Sequence, residues 1–289
     1  MFRTFSSALF ASVASAAAAD YTTNGADWND LCEFGKEQSP IDLTGATDNG
    51  KMELIGYNYY DFKVNTSFKT TDVTKTISFD TDALRKKAEL ELNFADGSKS
   101  YFQPLQFHFH SPSEHTVDGK HYDLEVHFVH TVRGSDNVAG SVPQAEMAGA
   151  VIGVFFDTAA GGDYENAFIK GMDTAILGRG LSIKPKVPVR DFLSRLDMSE
   201  YWSYDGSLTT PPCTEGLKWS VLKQVQPISA AQLLSFTKNL EGNAAFAGGK
   251  GNNRVIQLLN DRTLYMAADV GAASYMMASV AIAAAVLSF

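Results

Sequence analysis

Apolar and polar residues along this chain change period several times, and strand-like stretches dominate. Ala88–Phe94 alternates strictly, with Leu90, Leu92 and Phe94 on one face and Glu89 and Glu91 on the other. A period of two predicts a strand with one buried face. Asp96-Gly97 follows as a turn and Tyr101–His110 resumes the strand pattern, which together predict a β-hairpin. Asp123–Thr131, Ala148–Phe156 and Leu217–Val225 read as further strands. Helical spacing is rarer: Phe168, Ile169, Met172 and Ile176 share one face, as do Leu233, Leu234 and nearby apolar residues after Ser229. Ser229 with Gln232 has the S-x-x-Q form of a capping box. No repeat or linker divides residues 20–266. The expected fold is mainly β with peripheral helices, a single domain around a large, mostly antiparallel sheet.

Composition adds little to the fold but limits the partners. Hydrophobic residues make up 45% and charged residues 20%, enough for a sizeable core, and 19 Phe with 11 Tyr suit a β-rich interior. The formal charge of −9, without a basic stripe, excludes nucleic acid as a partner.

The two ends carry targeting patterns. Arg3, the apolar Ala8–Val13 and the small residues Ser15–Ala19 form a secretory signal over residues 1–19, cleaved near Ala19–Asp20. That predicts a secreted or cell-surface protein. Export makes Cys32 and Cys213 candidates for one disulfide, nominally worth ~4–5 kcal/mol through denatured-state entropy; two free buried thiols are the alternative. Residues 267–289 form a hydrophobic tail in which Gly271–Phe289 carries no charge. It reads as a glycosylphosphatidylinositol signal attached within Ala267–Ala273, with a retained tail anchor or a buried helix as alternatives. Membrane attachment is expected through this tail.

All six histidines, His108, His110, His115, His121, His127 and His130, fall within 23 consecutive residues. Strand alternation decides which can meet. Gln106, His108 and His110 share one face, and Leu105, Phe107 and Phe109 take the other, suited to the core. Glu125, His127 and Val129 share a face opposite His130. If these strands are neighbours, His108, His110 and His127 converge. Three imidazoles with an open fourth position are the donor set of a catalytic zinc site. Gln106 and Glu125, each two residues before a ligand on the same face, can accept the ligands' second N–H. Two other metal patterns fit less well. A cupin-like H-x-H with Glu114 meets Phe102 where glycine is required, and the H-x-H-x-D-H hydrolase pattern has Ser113 and Glu114 in place of its Asp and His.

Taken together the motifs resemble the α-type carbonic anhydrase family. Gln38-Ser39-Pro40-Ile41-Asp42, Gln106-x-His108-x-His110, Ser113-Glu114-His115-Thr116-Val117-Asp118, Glu125-x-His127-x-Val129-His130, Ser207-Leu208-Thr209-Thr210-Pro211-Pro212, Asn252-Asn253-Arg254 and Leu259-Asn260-Asp261-Arg262 stand in the family's order. The resemblance implies a central twisted sheet of about ten strands, with Zn2+ at the floor of a conical cleft. It implies reversible hydration of carbon dioxide to bicarbonate by a zinc-bound hydroxide. His108 and His110 would bind through Nε2 and His127 through Nδ1, with Gln106, Glu125 and the Asn252 carbonyl behind them. Thr209 would orient the hydroxide and donate to Glu114. Val129, Val151, Leu208 and Trp219 would wall the carbon dioxide pocket, and Thr210 would line the cleft. The resemblance also implies the Cys32–Cys213 pairing.

A gapless alignment of Asn65-Thr66-Ser67-Phe68 puts Phe68 where fast members carry a proton-shuttling histidine, which predicts a slower, buffer-dependent enzyme. Asn65 also heads the one glycosylation sequon and would stand beside the cleft. The competing readings are a metal-free binding module of the same fold, which would lack a ligand histidine, and ester hydrolysis as a side activity.

Overall fold

A computed structural model describes residues 20–48, 54–59, 66–70, 75–79, 88–93, 99–132, 147–171, 188–237, 249 and 251–267. Residues 1–19 and the tail from 268 lie outside them, as do Asn65, Phe94, Asp96-Gly97, Met172 and Ile176. Among the described residues no helix is long and apolar enough to cross a membrane.

Among the described residues twelve strands form one sheet: β1 (Thr47–Asp48), β2 (Leu54–Tyr59), β3 (Thr66–Thr70), β4 (Lys75–Phe79), β5 (Ala88–Asn93), β6 (Lys99–His110), β7 (Leu124–Val132), β8 (Gly149–Asp157), β9 (Tyr201–Ser207), β10 (Glu215–Leu222), β11 (Gln226–Pro227) and β12 (Tyr265–Met266). The main path runs β1-β12-β9-β10-β8-β7-β6-β4-β3. Neighbours are antiparallel except at β1–β12, β8–β10 and β8–β11. The expected hairpin is present, with Leu90 opposite Phe102 and Leu92 opposite Ser100. β6 is long enough to pair with β5 along its first residues and with β4 along its last.

The two faces of the sheet bury different chemistry. On one, Phe107, Phe109, Val126, Phe128, Ile152 and Val154 pack beneath short helices. These are α2 (Ala167–Gly171), α3 (Val189–Leu193) and α4 (Ala230–Thr237); α1 (Leu31–Phe34) lies earlier in the chain. Phe168 of α2 stacks on Phe192 of α3, with ring centroids 4.2 Å apart. The capping box forms as the sequence predicts: Gln232 N–H donates to Ser229 Oγ at 3.2 Å and Ser229 N–H to Gln232 Oε1 at 3.4 Å.

On the other face, Val129, Val151, Trp219 and Tyr204 stand in one cross-strand row over β7, β8, β10 and β9. They form a second cluster with Ile41, Leu43 and Phe155. One expectation fails here. Leu105 does not join Phe107 and Phe109; it packs against this second cluster. The β6–β7 ladder skips from Pro104 to Gln106, so Leu105 is the extra residue of a bulge that shifts it off the alternation.

Candidate metal centre

The site grows out of the register of β6 and β7. His108 pairs with His127 and His110 with Glu125, so four polar side chains emerge on the face opposite the phenylalanines. The ligand nitrogens of His108, His110 and His127 all lie within 4.8 Å of one another. His110 and His127 are buried, and His108 reaches partway to solvent.

Each ring has one nitrogen held from behind. His108 Nδ1 donates to Gln106 Oε1 at 2.8 Å, His110 Nδ1 to the Asn252 carbonyl at 2.8 Å, and His127 Nε2 to Glu125 Oε1 at 2.9 Å. That leaves His108 Nε2, His110 Nε2 and His127 Nδ1 facing a common point. His110 Nε2 is fully buried with no hydrogen-bond partner, a costly state unless a Lewis acid takes its lone pair. Burial, with the neighbouring rings adding to it, lowers the His108 pKa well below the usual range and that of His110 to about 3. His127 is also lowered by burial, against the pull of Glu125. Neutral imidazoles are the form that binds a metal. The donor set and its second partners therefore fit a zinc ion.

Asn252 is a clamp as well as a carbonyl. Its Oδ1 accepts from Ser111 N–H at 2.8 Å and its Nδ2 donates to Phe109 O at 3.1 Å, which pins the end of β6. The preceding Gly251 has φ +149° and no room for a Cβ beside Pro112 and Ser111.

Glu114 and Thr209 meet beside the imidazoles. Glu114 is fully buried; Oε1 accepts from Arg254 N–H at 2.9 Å, and Oε2 stands 3.8 Å from His127 Nδ1. Burial pushes its pKa well up, opposed by the nearby Thr209 side chain and by Arg254 N–H, and Oε2 is buried without a hydrogen-bond partner. Val129, Val151 and Trp219 belong to the apolar cluster on this face, and Leu208 packs against it. Thr210 is half-buried, and its carbonyl accepts from Cys213 N–H at 2.9 Å.

Cys32 and Cys213 form a disulfide, as the family resemblance implies, with Cα atoms 5.1 Å apart. It ties the loop carrying Thr209 to the N-terminal segment. Phe68 stands opposite Ile77, which stands opposite Phe107, one position off the row Lys69–Thr76–His108. The Phe68 side chain lies outside the described ones.

Sequence reasoning left His115, Tyr204, Ser39 and Arg254 without roles. Arg254 is buried beneath the site, with Nη1 donating to Gln38 Oε1 and Ser39 O and Nη2 to Cys32 O. The signals were present in the Gln38-Ser39 and Glu114-His115 motifs, but their partners lie far away in the chain.

Comparison with known proteins agrees with this geometry. A family model described as eukaryotic-type carbonic anhydrase matches residues 23–268. A carbonic anhydrase of Klebsiella pneumoniae is 32% identical over 237 residues, covering 81% of each chain. The solved α-carbonic anhydrase of Photobacterium profundum is 29% identical with a TM-score of 0.63, covering 84% of this chain and 95% of its own. A halotolerant carbonic anhydrase from Dunaliella salina is 27% identical with a TM-score of 0.65, covering 87% and 98%. Matched over nearly the whole domain, the chain belongs to the eukaryotic-type, or α, carbonic anhydrase family of enzymes, which interconvert carbon dioxide and bicarbonate.

Proposed function

We propose that this chain catalyses the reversible hydration of carbon dioxide with a zinc ion held by His108, His110 and His127, and that it works without a histidine proton shuttle. The observation that carries the reading is the set of three imidazole nitrogens turned to one point, each ring held by its other nitrogen. When bound, zinc supplies a hydroxide nucleophile at neutral pH by lowering the pKa of its water to about 7.

The surrounding residues have separate tasks. Gln106, Glu125 and the Asn252 carbonyl fix the tautomers and ring angles. Glu114 Oε2 is buried without a partner, and the Thr209 hydroxyl would donate to it, leaving its own oxygen to accept only from the reacting O–H and so aim that oxygen's lone pair. Burial alone favours the protonated Glu114; Arg254 N–H on Oε1 and the charge of a bound dication would act against that and favour its carboxylate. Val129, Val151, Leu208 and Trp219 offer carbon dioxide an apolar wall that keeps water from competing. Thr210 lines the approach.

Proton export falls to solvent buffer, because the chain has six histidines and the three outside the centre are engaged elsewhere. His115 is buried between Glu125 and Tyr204, His130 is buried on the helix side of the sheet, and His121 donates to Ser113 O on the loop before β7. Phe68, at the aligned shuttle position, carries no proton.

Metal analysis with stopped-flow hydration tests the reading. The purified protein should hold one zinc per chain and hydrate carbon dioxide, and His108→Ala should lose both. A zinc-free yet folded wild-type protein would return the chain to the metal-free binding module.

A further inference from the structure

His115 contacts no metal in the reading above, yet both of its ring nitrogens are bonded. Nδ1 meets Glu125 Oε1 at 2.7 Å, and Nε2 meets the Tyr204 hydroxyl at 2.6 Å. The Tyr204 hydroxyl bonds the Ser39 hydroxyl at 2.8 Å, and Ser207 N–H donates to Ser39 Oγ at 3.0 Å. An unbroken path thus runs from β9 through Ser39, Tyr204, His115 and Glu125 to His127 Nε2. Every residue on it is at most 1% exposed.

Glycines reserve room for the path. A Cβ at Gly206 would collide with Ser39 Oγ and stand 2.8 Å from ring carbons of Tyr204 and Trp219. A Cβ at Gly153, which pairs with His127, would stand 3.0 Å from Glu125 Oε1 and 3.3 Å from Val221. Neither glycine has a left-handed φ, so close approach rather than conformation excludes a side chain there.

Glu125 is the junction. Its Oε2 accepts the backbone N–H of Glu114 at 2.8 Å and of His115 at 2.9 Å, and its Oε1 is shared by the two rings. The backbone donors are fixed by the chain. The His115 ring is the one donor besides His127 that can turn, and Tyr204 holds its far side. Tyr204 itself is fixed independently of its hydroxyl: its ring is stacked on Trp219 at 11° between planes, and the Arg262 guanidinium lies over it at 5.5 Å.

We propose that Tyr204 and Ser39 are positioning residues of the metal centre, fixing the Glu125 carboxylate against His127 through His115 and so aiming His127 Nδ1. This rests on the zinc reading above. Because both act through other groups, their effect falls on how tightly the metal is held.

The test is the zinc dissociation constant, measured by chelator competition, beside the thermal midpoint of the apoprotein. Tyr204→Phe keeps the stacked ring and removes the hydroxyl; the zinc dissociation constant should rise about tenfold. In a Glu125→Ala background the same substitution should change it less than about twofold, because the path is already cut. Ser39→Ala, one step further out, should raise it about threefold, and stands in if Tyr204→Phe does not fold. A purely structural role would lower the apoprotein midpoint and leave zinc affinity unchanged, which overturns the proposal. A tenfold rise that persists without the Glu125 carboxylate overturns it as well. A wild-type protein that takes up no zinc would sink the proposed function along with this inference; a wild type that binds zinc tightly beside unaltered variants sinks this inference alone.

Discussion

Thr209 carries a sharp prediction because the proposed function gives its hydroxyl two duties, one toward Glu114 and one toward the reacting oxygen. Thr209→Ala should lower kcat/KM by about a hundredfold, the scale of losing one fixed hydrogen-bond partner at a reacting oxygen. Zinc content should not change, since no ligand contacts the deleted atoms; stopped-flow rates beside metal analysis check both. His130 offers a prediction about folding. Burial lowers its pKa from 6.5 to about 4, against the backbone carbonyls of Ala150 and Phe128, which accept from the ring. Below pH 6.5 the unfolded chain takes up a proton that the folded chain refuses until about pH 4. Stability from this residue is therefore complete above pH 6.5 and drains away as pH falls, by about 3 kcal/mol in all. In metal-free protein, His130→Gln should flatten the decline of unfolding free energy between those limits. An unaltered slope in denaturant titrations would show that the side chain is already protonated in the fold.

Among the elements, those legible in the sequence have chemically unlike faces. β6 and β7 set histidine, glutamine and glutamate against phenylalanine and valine, so alternation alone identified both strands and the ligand face. β9 escaped notice. Tyr201, Ser203, Tyr204, Gly206 and Ser207 are all buried, and small polar residues in that run look like a loop until their partners are known. Those partners are remote, since Tyr204 reaches His115 across 89 positions and Ser39 across 165. Leu105 was misread for a different reason, because a bulge breaks period two without leaving a composition mark. The loop between β9 and β10 depends on a distant tie as well. Leu208 N–H donates to Thr214 O and Cys213 N–H to Thr210 O, both at 2.9 Å, while the Cys32–Cys213 disulfide anchors the loop to the N-terminal segment. Replacing both cysteines with serine should cost about 2–5 kcal/mol of unfolding free energy. It should also lower kcat/KM at full zinc occupancy, because Thr209 rides on the released loop and the ligands do not. Denaturant melts with parallel kinetics would show whether stability and rate fall together.

Across the whole molecule, the distribution of histidine bears on which step would limit the proposed reaction. Imidazole is the side chain whose unperturbed pKa suits proton transfer near neutrality, and this chain has six, three of them gathered at the candidate metal centre. His115 is committed to Glu125 and Tyr204, His130 is sealed among the core residues of the opposite face, and His121 is bonded to a loop carbonyl. Each catalytic cycle must nevertheless shed one proton to regenerate the nucleophile. If no imidazole relays it, as proposed, a buffer molecule must enter and take it, so kcat should climb with buffer concentration and then level off. The value of kcat/KM, which reports carbon dioxide capture before that step, should stay flat over the same range. Stopped-flow hydration at fixed pH and ionic strength, from a few to about a hundred millimolar of a small imidazole-type buffer, separates the two parameters. A kcat already at its plateau in the most dilute buffer would mean that another group relays the proton, and the proposed dependence on buffer would fail.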